Sequence, residues 1–186
     1  QKKQMTSQPG SNTGVMGVDG NFDDCQSGVK RIFGDSEVIS RLEAGGYVFS
    51  SANSINWGRL VPQVVYYFSA YADLVKSGDI KLGDKLDFIV PTGNFGDILA
   101  GFIAKRMGLP TGKLVCASNK NNVLTDFIKT GVYDKNRDFY TTISPSMDIL
   151  ISSNLERLLY IMSGYGDKKV SEYMKDLAEG GRYSVD

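Results

Sequence analysis

The run Val90-Pro91-Thr92-Gly93-Asn94-Phe95-Gly96-Asp97 carries the residue types that could bind an anion. Before it stands an apolar stretch, Leu86 to Val90, with the character of a buried strand. After it, Ile98, Leu99, Phe102, Ile103 and Met107 recur at helical spacing. A strand, a glycine turn and a helix start together aim free backbone N–H groups at a negative charge. Gly93 and Gly96 have no Cβ to obstruct a phosphate approaching the backbone. The plainer alternative is a strand-to-helix turn whose glycines only serve chain geometry. The run is not a dinucleotide fingerprint, which needs three spaced glycines, nor a P-loop, which needs Gly-Lys-Ser/Thr.

A second group lies upstream, Asn53-Ser54-Ile55-Asn56-Trp57-Gly58-Arg59. Asn53 and Ser54 offer an amide and a hydroxyl where a long helix is expected to begin. Arg59, about one turn further, has a planar fork that suits a phosphate. An ordinary helix cap with a surface arginine accounts for the same residues.

Composition narrows the chemistry. The 186 residues include 21 basic and 21 acidic side chains and no histidine. Zero net charge argues against nucleic acid or an anionic membrane as partner. Without histidine there is no Ser-His-Asp or Cys-His catalysis, and no metal site is expected from two distant cysteines, Cys25 and Cys116. Those two cysteines form no disulfide framework, and a reducing, cytoplasmic setting is expected. No apolar run approaches the roughly 20 residues that span a bilayer, and Gln1-Lys2-Lys3-Gln4 does not read as a signal peptide.

The elements that must position these residues follow from periodicity. Strands are predicted at Val15–Val18, Tyr47–Ser51, Leu86–Val90 and Lys113–Ala117. Helices are predicted at Phe22–Phe33, capped by Asn21, and from Ile55 to Lys76. Others are expected over 95–107, Val123–Lys129, from near Met147 towards Met162, and over Val170–Glu179. The spacing of Cys25, Val29, Ile32 and Phe33 places Cys25 in a core. Strands alternating with helices predict an α/β fold with a mainly parallel sheet and helices on both faces. In such sheets ligands sit at the carboxyl ends of strands. Two such ends are polar, at Ser51–Ser54 and Thr92–Asn94.

Several stretches together resemble the threonine synthase family. They are Gly20-Asn21-Phe22-Asp23-Asp24, the run Asn53 to Arg59 with Gln63-Val64-Val65-Tyr66-Tyr67, and Pro91 to Asp97. Ala117-Ser118-Asn119-Lys120-Asn121-Asn122-Val123-Leu124-Thr125-Asp126-Phe127 and Ser144-Pro145-Ser146-Met147-Asp148-Ile149 complete the set. The resemblance runs from about Met5 to Arg157. It implies a pyridoxal-phosphate enzyme of the tryptophan-synthase-like fold, converting O-phosphohomoserine and water to threonine and phosphate. It implies that Gly93, Asn94, Phe95, Gly96 and Asp97 hold the cofactor phosphate. It also implies that Asn53, Ser54, Arg59 and Asn94 hold the substrate phosphate. Residues 1–52 would end the smaller, mobile domain and 53–186 would belong to the larger one.

The chain departs from the family pattern in three places. The Phe-Lys-Asp motif that carries the Schiff-base lysine does not precede Gly93, so that lysine is expected upstream of this segment. The Gly-Asp-Thr-Gly loop for the substrate carboxylate and the partner of the pyridine nitrogen are also missing. Tyr173-Met174-Lys175-Asp176 imitates the lysine motif on the wrong side of the phosphate loop, where an exposed helical lysine is the simpler reading. The expectation is a segment of threonine synthase, inactive alone, prone to self-association through exposed sheet edges. The alternative is a non-catalytic module that binds a phosphorylated metabolite.

Overall fold

The computed structural model describes residues 10–20, 22–51 and 56–185. The chain divides into two compact units, Gln1–Val48 and Phe49–Asp186. The first holds α1 (Phe22–Phe33) and α2 (Ser36–Ala44). Asp35 caps α2, its Oδ1 accepting the N–H groups of Glu37 and Val38 at 3.0 and 3.1 Å. This satisfies two of the donors that a helix start leaves open. The predicted cap Asn21 lies outside the described residues.

Three expectations fail in this part of the chain. Val15–Val18 and Tyr47–Ser51 form no strand. A strand exists only against a neighbour, and these stretches pair with none among the described residues. Their apolar side chains face solvent, Met16 at 86 % exposure and Val48 at 81 %. Cys25 is exposed rather than in a core, because the apolar side of α1 is itself largely uncovered, with Val29 and Ile32 exposed.

The second unit opens with α3 (Trp57–Leu60), a 3₁₀ turn at Val61–Gln63 and α4 (Val64–Ser77). Pro62 has no N–H to give an α-helical ladder, and the chain tightens to 3₁₀ there. Leu60, Val64, Tyr67 and Tyr71 form the buried stripe, and Gly78 ends α4 in the left-handed region at φ 83°. Next come β1 (Leu86–Pro91), α5 (Gly96–Arg106) and β2 (Thr111–Ala117). β1 and β2 pair in parallel, with Ile89 opposite Val115 and Val90 opposite Cys116. Tyr67 packs edge-on against Phe88 with ring centroids 4.9 Å apart, so α4 lies on one face of this pair. The opposite face carries Ile89, 73 % exposed, beside Val115.

α6 (Val123–Thr130) leads into β3 (Val132–Asp134). A second 3₁₀ turn, Pro145–Met147, stops at Asp148, and α7 (Leu155–Met162) starts separately. The helix expected near Met147 is therefore two elements. Asp148 is taken up by hydrogen bonds from other loops and leaves the helical path (φ −80°, ψ 78°). α8 (Asp167–Glu179) and β4 (Arg182–Ser184) close the unit, with β4 antiparallel to β3. Tyr133 and Tyr183 stack at 5.2 Å across that ladder, with Phe127 edge-on to both and Tyr173 against Tyr183. No helix among the described residues is long and apolar enough to cross a membrane.

Candidate functional site

The site is built at the carboxyl end of β1. Thr92 closes the parallel ladder, its N–H donating to the Ala117 carbonyl at 2.8 Å, and its hydroxyl turns back to the Val90 carbonyl at 2.7 Å. The chain then turns through Gly93, Asn94 and Phe95 into α5. Phe95 takes the left-handed conformation, φ 63° and ψ 10°, in the cap position before Gly96. This reverses the backbone sharply enough for the helix to start at once.

The loop's carbonyl groups point inward and are held by the segment before α7. Ser152 Oγ donates to the Gly93 carbonyl at 2.8 Å. The Asn94 carbonyl accepts both the Asn154 N–H and its side-chain Nδ2, each at 3.0 Å. Ser152 and Asn154 are buried, and Tyr133 Oη fixes this segment by donating to the Leu150 carbonyl and accepting the Ser152 N–H. With those carbonyls engaged, the N–H groups of Asn94, Phe95, Gly96 and Asp97 find no acceptor among the described residues. They form a set of unengaged donors at the positive end of α5.

Gly93 is closely approached by the chain near Met147. A Cβ there would lie 3.2 Å from Met147 Sδ and 3.4 Å from both Met147 Cα and the Ser146 carbonyl oxygen. Met147 belongs to a strap whose anchor is Asp148. The buried Asp148 carboxylate accepts Asn119 Nδ2 at 2.6 Å, Asn121 Nδ2 at 3.2 Å, the Thr142 N–H at 2.7 Å and the Thr142 hydroxyl at 2.7 Å. Burial pushes its pKa up, but the Thr142 and asparagine hydrogen bonds outweigh that and hold the carboxyl below its usual range.

Asp97 is at the rim. Partial desolvation raises its carboxyl pKa, which the neighbouring Tyr67 hydroxyl opposes. That hydroxyl donates to the Asp97 carbonyl at 2.8 Å. Asp97 lines a cavity of about 210 Å³ with Tyr66, Tyr67 and Pro91, so its carboxylate belongs to the β1–α4 groove, and its backbone N–H is what it offers an anion. Cys116, beside Val90 on β2, has its thiol pKa raised by burial, against hydrogen bonds from Thr92 and Ser118. That shift favours the thiol over the thiolate, the form a nucleophile needs.

The second constellation is only partly described. Asn53 and Ser54 lie outside the described residues. Arg59 is exposed on α3, and its guanidinium meets no acceptor among the described residues. No direct bond joins it to the 93–97 loop. The two motifs are linked through other residues. Arg157 lies over the Trp57 ring at 5.7 Å and donates to Asn154 Oδ1, and Asn154 holds the Asn94 carbonyl. Trp57 and Arg157 also line a larger cavity of about 460 Å³ with Ile103, Arg106, Met107 and Tyr160, towards the far end of α5 from the loop. Sequence reasoning missed Ser152 and Asn154. Two serines and an asparagine before a helix read as a plain cap, and only the fold brings them under a loop some 60 positions away.

No family model matches the chain. It is 50 % identical over its full length to human threonine synthase-like 1, spanning 25 % of that protein. It is 43 % identical, again over its full length, to the threonine synthase of Saccharomyces cerevisiae, spanning 36 % of it. The structure superposes on the pyridoxal-phosphate-bound threonine synthase of Brucella melitensis with a TM-score of 0.82 and 44 % identity. That match covers 99 % of this chain and 37 % of the solved one. The chain therefore spans between a quarter and two fifths of the length of these relatives. Its fold is the corresponding part of the threonine synthase α/β fold, and its sequence corresponds to a segment of threonine synthase.

Proposed function

We propose that this chain is the phosphate-binding part of a pyridoxal-phosphate-dependent threonine synthase, a lyase acting on O-phosphohomoserine. The observation that carries the reading is the set of four unengaged N–H groups, Asn94 to Asp97, at the start of α5. The cofactor's phosphate fits them: they are donors only, they stand at a helix N-terminus, and no Cβ occupies the turn at Gly93 or Gly96. When bound, the cofactor would supply the electron sink for elimination of phosphate and addition of water. The chain's own residues would do the rest. Gly93–Asp97 would hold the cofactor phosphate. Asn94, with Asn53, Ser54 and Arg59, would hold the substrate's phosphate as it leaves. The cofactor-bearing lysine would come from outside this stretch, residues up to about 52 would end the smaller domain, and the whole protein would work in the cytoplasm.

The test uses the longer threonine synthase that carries this stretch. Arg59→Ala should weaken O-phosphohomoserine binding and slow turnover with cofactor content near normal, since the fork touches only the substrate phosphate. Gly96→Val should give enzyme with little bound cofactor, since a branched side chain blocks the approach of the phosphate. Cofactor absorbance of each purified variant, with its kinetics, separates the two. If Arg59→Ala loses the cofactor and Gly96→Val keeps it, the two anion sites are exchanged; if neither variant changes either property, both assignments fail.

A second reading is a module that binds a phosphorylated metabolite without turning it over. It needs only the N–H donors of Asn94 to Asp97 and no lysine beside them. Phosphate release from O-phosphohomoserine by the longer protein decides between the two.

A further inference from the structure

We propose that Asp148 is a positioning residue for the phosphate loop: its buried carboxylate fixes the strap from Thr142 to Ile149 so that Met147 backs Gly93 and keeps the loop's N–H groups aimed at the cofactor phosphate. This rests on the reading of Asn94–Asp97 as a phosphate cradle.

Two stretches of chain converge on that one side chain. Oδ1 accepts Asn119 and Asn121, from the turn after β2, together with the Thr142 hydroxyl; Oδ2 accepts the Thr142 N–H. Asn121 is itself held at both ends of its amide, donating to the Tyr140 carbonyl and accepting the Tyr140 N–H. The carboxylate thus ties the end of β2 to both ends of the strap. An acceptor-only group suits this place, because every partner is a donor. One residue before Asp148, Met147 lies against Gly93: a Cβ there would stand 3.2 Å from the Met147 sulfur, a tight contact that the methionine would have to relieve by moving. One residue after it, Ile149 is buried and seats the strap in the fold. The loop is then clamped from two sides. Ser152 and Asn154 pull its carbonyl groups inward, and Met147 presses on its first glycine. Such a clamp fixes which way the peptide units face, which is what a backbone anion site requires.

Asp148→Asn tests this, because the new amide nitrogen faces a donor and at least one of the four bonds is lost. The probes are pyridoxine 5′-phosphate and pyridoxine, which have no aldehyde and cannot react with lysines. Their affinities for this 186-residue chain are read from the amide resonances of Asn94 to Asp97, with the melting temperature measured alongside. In the unsubstituted chain the phosphorylated probe should bind more tightly. In Asp148→Asn that preference should fall about tenfold, the scale on which residues that orient binding groups act, well below the melting temperature. Thr142→Val, which removes only the hydroxyl donor, should cause a smaller fall and serves if Asp148→Asn does not fold. An unsubstituted chain with no preference overturns the cradle reading and this proposal with it. A preference that survives in both variants, or a fall that is equal for both probes and follows the melting temperature, overturns the role of Asp148 alone.

Discussion

Phe95 is the residue at which local cost and tertiary gain oppose each other most directly. It is a bulky side chain in the left-handed region, which costs about 1–2 kcal/mol without glycine's freedom. Its ring is 5 % exposed, inside the core that also holds Ile98 and Leu99. Removing a buried phenylalanine costs about 3–5 kcal/mol, so burial wins. Phe95→Gly should therefore destabilise the chain by about 2 kcal/mol, the difference between those two effects. Urea unfolding measures it, and a more stable variant would show that the ring contributes less than the strain. The two glycines of the loop are visible in the sequence, but their reasons are not. The positive φ falls on Phe95 between them, and Met147, 54 positions later, lies close against Gly93. The anion-binding chemistry was legible because it is local, a strand followed by a polar turn and a helix. The supports from Ser152, Asn154 and Asp148 were not, since a buried polar partner is defined by the fold and not by its sequence neighbours.

Most elements with internal periodicity stand where the pattern places them: α1, β1, α5, β2, α6 and α8 agree with the expected elements within a few residues, while the single helix expected from Ile55 to Lys76 is divided into α3, a 3₁₀ turn at Pro62 and α4. The failures have two causes. Val15–Val18 and Tyr47–Ser51 have strand-like composition but pair with no strand among the described residues, whereas the stretch after Pro145 turns away to bring Asp148 to its donors. The contact between α4 and α5 shows a constraint that periodicity does not reveal. Gly101 sits in mid-helix, where glycine costs about 1 kcal/mol relative to alanine. A Cβ there would stand 2.6 Å from the Tyr67 ring. Overpacking of that kind costs about 1–3 kcal/mol, which exceeds the propensity gain. Gly101→Ala should therefore lower stability by about 1 kcal/mol despite the better helix former. Pairing it with Tyr67→Leu should recover part of the loss in a double-mutant cycle. A stabilised single variant would mean that Tyr67 shifts aside at little cost, and the hydroxyl bond to Asp97 would be the weaker of its two roles.

For the whole molecule, the α/β class and parallel pairing followed from the alternation of elements. How much of the sheet this stretch contains did not, because a sequence pattern does not say which neighbours lie within it. β1 and β2 are the only parallel strands among the described residues, and parallel sheets are ordinarily covered on both faces. Here Ile89 and Val115 stand side by side on the face away from Tyr67 and Phe88, with Ile89 73 % exposed. A second copy meeting this face, or lying along the free edge of β1, would cover that surface. Full burial of each such side chain contributes about 1.5–3 kcal/mol, while association costs about 4–15 kcal/mol in lost freedom. Two exposed side chains per copy therefore come close to balancing the cost, and free edge groups add hydrogen bonds worth about 0.5–1.5 kcal/mol each. The expected result is weak self-association, with a dissociation constant on the order of 0.1–1 mM, equivalent to about 4–5.5 kcal/mol. Ile89→Lys should abolish it, since a charge at that position would have to be desolvated in the contact. Sedimentation equilibrium of both chains over that concentration range reads the difference. A chain that stays monomeric throughout, or an Ile89→Lys variant that associates as strongly as the unsubstituted chain, would place the attraction elsewhere on the surface. Were the variant monomeric and its affinity for pyridoxine 5′-phosphate unchanged, the open sheet face and the phosphate loop would be independent features, although Ile89 and Asp97 line one cavity.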